Sequence, residues 1–172
     1  SRTRMNRPRK NNRSRSRGKP KKSALPTDGL LRFDQYAGDL AWKETRTVTV
    51  LKPEHGVPVG NYGFIEHFCA DPSCDCRRVV LNVWAENAPG ETLATIGYGW
   101  EDEQFYTDWM HGDAEMGKDL KGPGLEKMQP QSAYSEGLLT LFKDVVMRDE
   151  TYLLRLQEHY AVAKEKQGTR SF

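Results

Sequence analysis

The chain has 172 residues, enough for one domain with a real core plus appendages. Hydrophobic residues make up 37% and charged residues 29%, so part of the chain is expected to stay unfolded. No apolar run approaches the roughly 18 residues of a membrane span, and no apolar stretch follows the basic N-terminus as in a secretory signal, so a cytoplasmic protein without a membrane partner is expected.

The net charge of +2 hides a sharp division. Residues 1–22 carry Arg2, Arg4, Arg7, Arg9, Lys10, Arg13, Arg15, Arg17, Lys19, Lys21 and Lys22 and no acid. Those are eleven of the 26 basic residues; the rest of the chain sets fifteen against all 24 acids, a net charge of −9. Met5 is the arm's clearly apolar residue, so the segment buries too little to offset the entropy of ordering and reads as a disordered basic arm. Its expected role is to neutralise phosphates on RNA, DNA or a nucleoprotein complex, giving salt-dependent binding with little sequence specificity. No aromatic residue is interleaved, so base stacking is not indicated. The competing reading is a solubilising extension, or an arm lying against the protein's own acidic body.

Residues 23–44 read as a linker and packing segment, with a turn at Pro26 and Asp28-Gly29 and a weakly amphipathic stretch from Leu30 to Leu40. Residues 45–100 read as an antiparallel sheet. Thr45 to Leu51 alternates threonine with valine and predicts a strand; Tyr62 to Cys69, Cys76 to Trp84 and Thr92 to Tyr98 predict three more. Gly97-Tyr98-Gly99 reads as a turn. Residues 101–167 read as the helical part of the same domain, and 168–172 as a tail. Glu101 to Met110 predicts a short helix with an acidic N-terminus, and the glycine-rich stretch His111 to Gln131 a loop. Ser135 precedes an apolar pattern at Leu138, Leu139, Leu141, Phe142, Val145 and Val146. Asp149 is the candidate cap of a last helix bearing Tyr152, Leu153, Leu156, Tyr160 and Ala163, ended by Gly168. Strands followed by helices give an α+β fold.

His67, Cys69, Cys74 and Cys76 bring all three cysteines and one of four histidines into ten residues. Strand alternation puts His67 and Cys69 on one face, and Cys74 and Cys76 on one face of the next strand. The link Ala70 to Ser73, with Asp71-Pro72 to start a turn, has hairpin length, so folding back gathers four ligands at the tip. Phe64, Phe68, Val79, Leu81 and Val83 then point to the core. Three thiolates and an imidazole suit zinc in a closed tetrahedron. His55 or His111 are the alternatives to His67 as fourth ligand, or water, which makes the site reactive. The spacing departs from the common two-residue knuckle, and the competing reading is three ordinary thiols beside an incidental histidine.

Arg77 and Arg78 are candidate anion contacts beside the thiolates; the plainer reading pairs Arg77 with an acid and leaves Arg78 in solvent. Asp75 is expected to hydrogen-bond within the turn, since carboxylates compete poorly with thiolates for a soft ion. No catalytic residue is assigned. Glu158-His159 lacks the second histidine of the metalloprotease pattern.

Phe64-Ile-Glu-His-Phe-Cys-Ala-Asp-Pro-Ser-Cys-Asp-Cys-Arg-Arg-Val, taken with Leu141-Phe-Lys-Asp-Val-Val and Tyr152-Leu-Leu-Arg-Leu-Gln-Glu-His-Tyr, resembles a group of uncharacterised bacterial proteins with a Cys-x4-Cys-Asp-Cys-Arg-Arg hairpin and a helical C-terminus. The resemblance covers roughly residues 60–165. It implies that the hairpin and the last helices belong to one domain, and no established activity. The expected function is a non-catalytic, zinc-stabilised binding module with a nucleic-acid-contacting arm. The alternatives are an enzyme or redox-responsive protein with a reactive cysteine among Cys69, Cys74 and Cys76, and an adaptor whose C-terminal helices bind a protein partner.

Overall fold

The computed structural model of the chain describes residues 29–169. The basic arm lies outside the described residues. The fold is α+β: a six-stranded antiparallel sheet followed by helices. In chain order the elements are β1 (Leu30–Arg32), α1 (Asp34–Ala37), α2 (Asp39–Lys43), β2 (Arg46–Val50), β3 (Gly60–Cys69), β4 (Arg78–Ala85), β5 (Thr92–Gly99), α3 (Glu103–Trp109), α4 (Ala114–Lys121), β6 (Gly124–Leu125), α5 (Ser135–Asp144) and α6 (Glu150–Thr169).

The long strand β3 organises the sheet. One edge pairs with β2 through Gly60–Phe64 and with β1 through His67–Cys69; the other pairs with β4, which passes pairing on to β5 and β6. Alternation then sorts the faces. Tyr62, Phe64 and Phe68, with Val79, Leu81, Val83, Ala94 and Ile96, are buried on the core face. Against them α5 sets Leu138, Leu141 and Phe142, and α6 sets Tyr152, Leu156, Tyr160 and Ala163. Burying an aromatic or leucine side chain of this kind is worth about 1.5–3 kcal/mol, so this face holds the helices on the sheet. Asp149 accepts a hydrogen bond from the Tyr152 N–H at 3.1 Å and caps α6 as expected. No helix among the described residues is long and apolar enough to cross a membrane.

Several expectations need correction. The third predicted strand begins at Arg78 rather than Cys76, because Arg77 adopts a left-handed conformation (φ 48°) that interrupts the extended chain. Gly97-Tyr98-Gly99 lies inside β5, and the Glu126 carboxylate passes over Gly97 at the place a Cβ would take. The stretch 111–131 contains α4 and β6. Gly117, which suggested a loop, sits inside α4 where a Cβ would meet the Thr107 backbone of α3, so it marks close helix packing. Gly168 does not end the last helix, which runs to Thr169.

Candidate metal centre

Cys69 closes β3, and Cys74 and Cys76 lie on the loop to β4. Asp71 builds the turn as its sequence suggests: its carboxylate accepts from the Ser73 N–H at 2.9 Å and the Ser73 hydroxyl at 2.7 Å, and its carbonyl accepts from the Cys74 N–H at 3.1 Å. The loop is anchored at its far end by Arg77. The Arg77 N–H donates to the Tyr160 hydroxyl at 3.3 Å, and its carbonyl accepts from the Tyr106 hydroxyl at 2.7 Å. Its guanidinium pairs with Asp75 at 2.8 Å and Glu101 at 3.5 Å and lies over the Phe105 ring. So many partners hold a conformation that most residues avoid.

The three sulfurs come within 4.8 Å of one another, and each cysteine is a free, half-buried thiol. Sulfurs bound to one tetrahedral ion at about 2.3 Å stand about 3.8 Å apart. The cluster therefore fits a single metal ion with little movement. Its protonation fits too. A hydrogen bond from the Cys76 thiol brings the Cys69 pKa down to about 5 against the opposing effect of burial, helped by the Asp71 N–H, the Cys74 thiol and the Lys164 ammonium. Burial, then the hydrogen bond to Cys69 and its charge, pushes Cys74 up; the hydrogen bond to Cys69, then burial, pushes Cys76 up. These directions favour one thiolate on Cys69 held by two thiols. A dication would displace the remaining protons.

The helix α6 straps this loop to the body. Tyr160, Lys164 and Gln167 project from one side of it at intervals of four and three residues. Lys164 donates to the carbonyls of Cys69 at 3.3 Å and Asp71 at 2.7 Å, and Gln167 donates to the Cys69 carbonyl at 2.7 Å. The edge of β1 completes the frame, with Leu30 paired to Cys69 and the Ala70 N–H donating to the Gly29 carbonyl at 2.5 Å.

His67 is not brought into the cluster. It sits two residues back along β3, paired with Arg32 and Val80, and its Nδ1 lies 3.1 Å from the Ile65 carbonyl. Strand alternation gave it the right face but not the reach. Burial lowers its pKa. His55 and His111 stand outside the cluster as well, each at a left-handed turn position. Arg78 is not in solvent: its Nε donates to the Leu120 carbonyl at 2.7 Å and its guanidinium pairs with Glu126 at 2.8 Å. Both arginines thus already hold protein acids.

A second polar cluster lies three residues from Cys69. Glu66 and His159 are buried, with Glu66 Oε1 2.6 Å from His159 Nδ1. His159 Nε2 lies 3.4 Å from Glu44, which pairs with Arg155 at 2.6 Å, and the imidazole stacks on Phe33 at 4.3 Å. Reading the sequence missed this pair. Its one local signal was a carboxylate at a core-facing position between Phe64 and Phe68, which demands a buried partner.

Fold and site together define an α+β protein carrying a three-cysteine candidate metal centre at the β3–β4 connection, braced by a C-terminal helix. Comparison with protein-family models, with curated proteins and with solved structures gives no match.

Proposed function

We propose that the protein is a zinc-stabilised binding module whose basic arm contacts nucleic acid. The observation that carries the reading is the charge division: eleven positive charges and no acid in residues 1–22, ahead of a body of net charge −9. Three thiolates favour a soft, borderline ion such as zinc over calcium or magnesium. Bound there, the ion ties the end of β3 to the loop before β4. It also fixes the first described residues of the chain, since Gly29 and Leu30 pair with Ala70 and Cys69. The module presents the arm from a rigid frame, and the arm supplies affinity by releasing counterions from phosphates.

The test is electrophoretic mobility with duplex DNA and single-stranded RNA, for the full chain and for a chain lacking residues 1–22, over a series of salt concentrations. The full chain is expected to bind with an affinity that falls by a slope of about 0.9 per duplex phosphate contacted, or about 0.7 on single strands. Deletion of the arm is expected to abolish binding. Binding that survives the deletion, or no binding by the full chain, rejects the reading.

The low pKa of Cys69 favours a second reading, a redox-responsive protein with Cys69 as the reactive thiolate. Thiol titration separates the two: zinc is expected to slow the reaction of all three sulfurs with a thiol reagent, and its removal to restore it.

A further inference from the structure

We infer that the metal centre is open: the chain supplies three thiolates, and the fourth coordination position takes an exchangeable soft donor from outside it, a thiol or an imidazole, with water there at rest. The inference rests on reading the cluster as a metal centre and concerns how that centre is completed.

The chain has three cysteines and four histidines, and all seven lie among the described residues. The cysteines are the cluster. His159 is buried against Glu66 and Glu44 through both ring nitrogens. His67 has its Nδ1 turned to the Ile65 carbonyl and is held in register by β1 and β4. His55 and His111 lie outside the cluster on other loops. The basic arm holds neither cysteine nor histidine. The carboxylates nearest in sequence are engaged, Asp71 with Ser73 and Asp75 with Arg77. Among the described residues no further cysteine or histidine joins the three sulfurs.

A zinc site with three protein ligands and one free position exchanges ligands, whereas one with four is closed. All three cysteines are half-buried at the connection, so a donor from solution could reach an ion held there. The charge suits a further donor as well. Three thiolates on a dication leave one negative charge, and the Lys164 ammonium, held on the carbonyls of Cys69 at 3.3 Å and Asp71 at 2.7 Å, lies close enough to offset it. Exchange is balanced simply. An incoming imidazole displaces water as a neutral donor; an incoming thiol binds as thiolate, its proton passing to solvent as the water leaves.

X-ray absorption on the zinc-loaded full chain, in a buffer free of thiol and imidazole, tests this without a mutation. The expected shell is three sulfurs and one oxygen with no imidazole scattering. Adding 2-mercaptoethanol is expected to raise the count to four sulfurs, and adding imidazole to introduce its outer-shell signature. The cobalt-substituted protein is expected to show a saturable change in its visible spectrum with each probe, at one equivalent per site and independent of protein concentration. His67→Gln is expected to leave the spectrum unchanged. Imidazole scattering before any is added, or a spectrum that neither probe alters, overturns the inference while leaving the metal centre standing. A chain that takes up neither zinc nor cobalt rejects the metal reading and this inference with it, whereas the mobility assay fails or succeeds on the arm alone.

Discussion

β3 and α6 meet twice, and the two meetings are built differently. At the inner one, Glu66 reaches His159 with both side chains about 3% exposed and every partner supplied by the chain. At the outer one, three residues further along β3, Lys164 and Gln167 hold the Cys69 carbonyl beside three half-buried thiols. The sealed contact offers nothing to solution and serves the fold. The rim cluster keeps unused bonding capacity and is the one able to take something up. Polar groups joined by the same strand and helix thus divide into structure and chemistry according to whether the chain itself satisfies them.

The strongest way to break this comparison is Glu66→Leu. The imidazole then stays buried without its carboxylate, and losing one partner of a buried pair costs about 3–5 kcal/mol. Urea unfolding is the measurement. The double variant Glu66→Leu, His159→Leu is expected to recover most of the loss, because two apolar groups leave no orphan. A single variant as stable as the parent would mean that the inner contact does not brace α6.

Metal removal acts on the outer meeting. With free zinc a hundredfold above its dissociation constant, binding to the folded state alone adds about 2.7 kcal/mol. Chelation is expected to lower the unfolding midpoint of the wild-type chain accordingly and to leave that of Cys74→Ser unmoved. Glu66→Leu is expected to keep the zinc response, since its carboxylate is turned to His159 and away from the sulfurs. If zinc fails to shift the wild-type midpoint, the rim cluster holds no metal that matters to folding.

What the sequence made legible follows from how local each signal is. Four of the six strands announced themselves by alternation, and α5 and α6 by their apolar spacing. The strands β1 and β6, of three and two residues, are too short to show a period. The helix α4 was hidden by Gly117, whose reason lies across the packing interface in Thr107. The cysteine cluster was visible because its members are near neighbours in the chain. Where the His67 ring turns was not, because alternation specifies a face and not whether a ring turns toward the sulfurs or back to Ile65. The Glu66–His159 pair spans 93 residues, and only the carboxylate between two core phenylalanines hinted at it.

The smallest expected effect is the histidines' share of the pH dependence, and it is small because the two oppose each other. Burial pulls the His159 pKa down, but the hydrogen bonds and charges of Glu66 and Glu44 outweigh it and leave it raised. The native state therefore holds that proton more tightly than the unfolded chain. This stabilisation is complete below the ordinary value of 6.5 and is lost as pH rises through the raised one. Glu66, raised chiefly by burial, with the Glu44 charge adding and His159 and Arg155 opposing, loses stabilisation in the same direction, starting above its ordinary value of 4.5. His67 runs the other way. Burial lowers its pKa, so its contribution is present above 6.5 and lost as pH falls through the lowered value. Between about pH 5 and 8 the slopes overlap and partly cancel. Cys69, lowered to about 5, adds the same rise with pH to every variant, so the histidines are read as differences from the parent. His67→Gln removes an opposing slope, so its stability is expected to lose ground to the parent's as pH rises, and the double variant Glu66→Leu, His159→Leu to gain ground over the same interval. Urea midpoints at a series of pH values are the readout. Parallel profiles for all three proteins would mean that neither histidine titrates with folding, and the inner contact would then be a neutral hydrogen bond rather than a charged one.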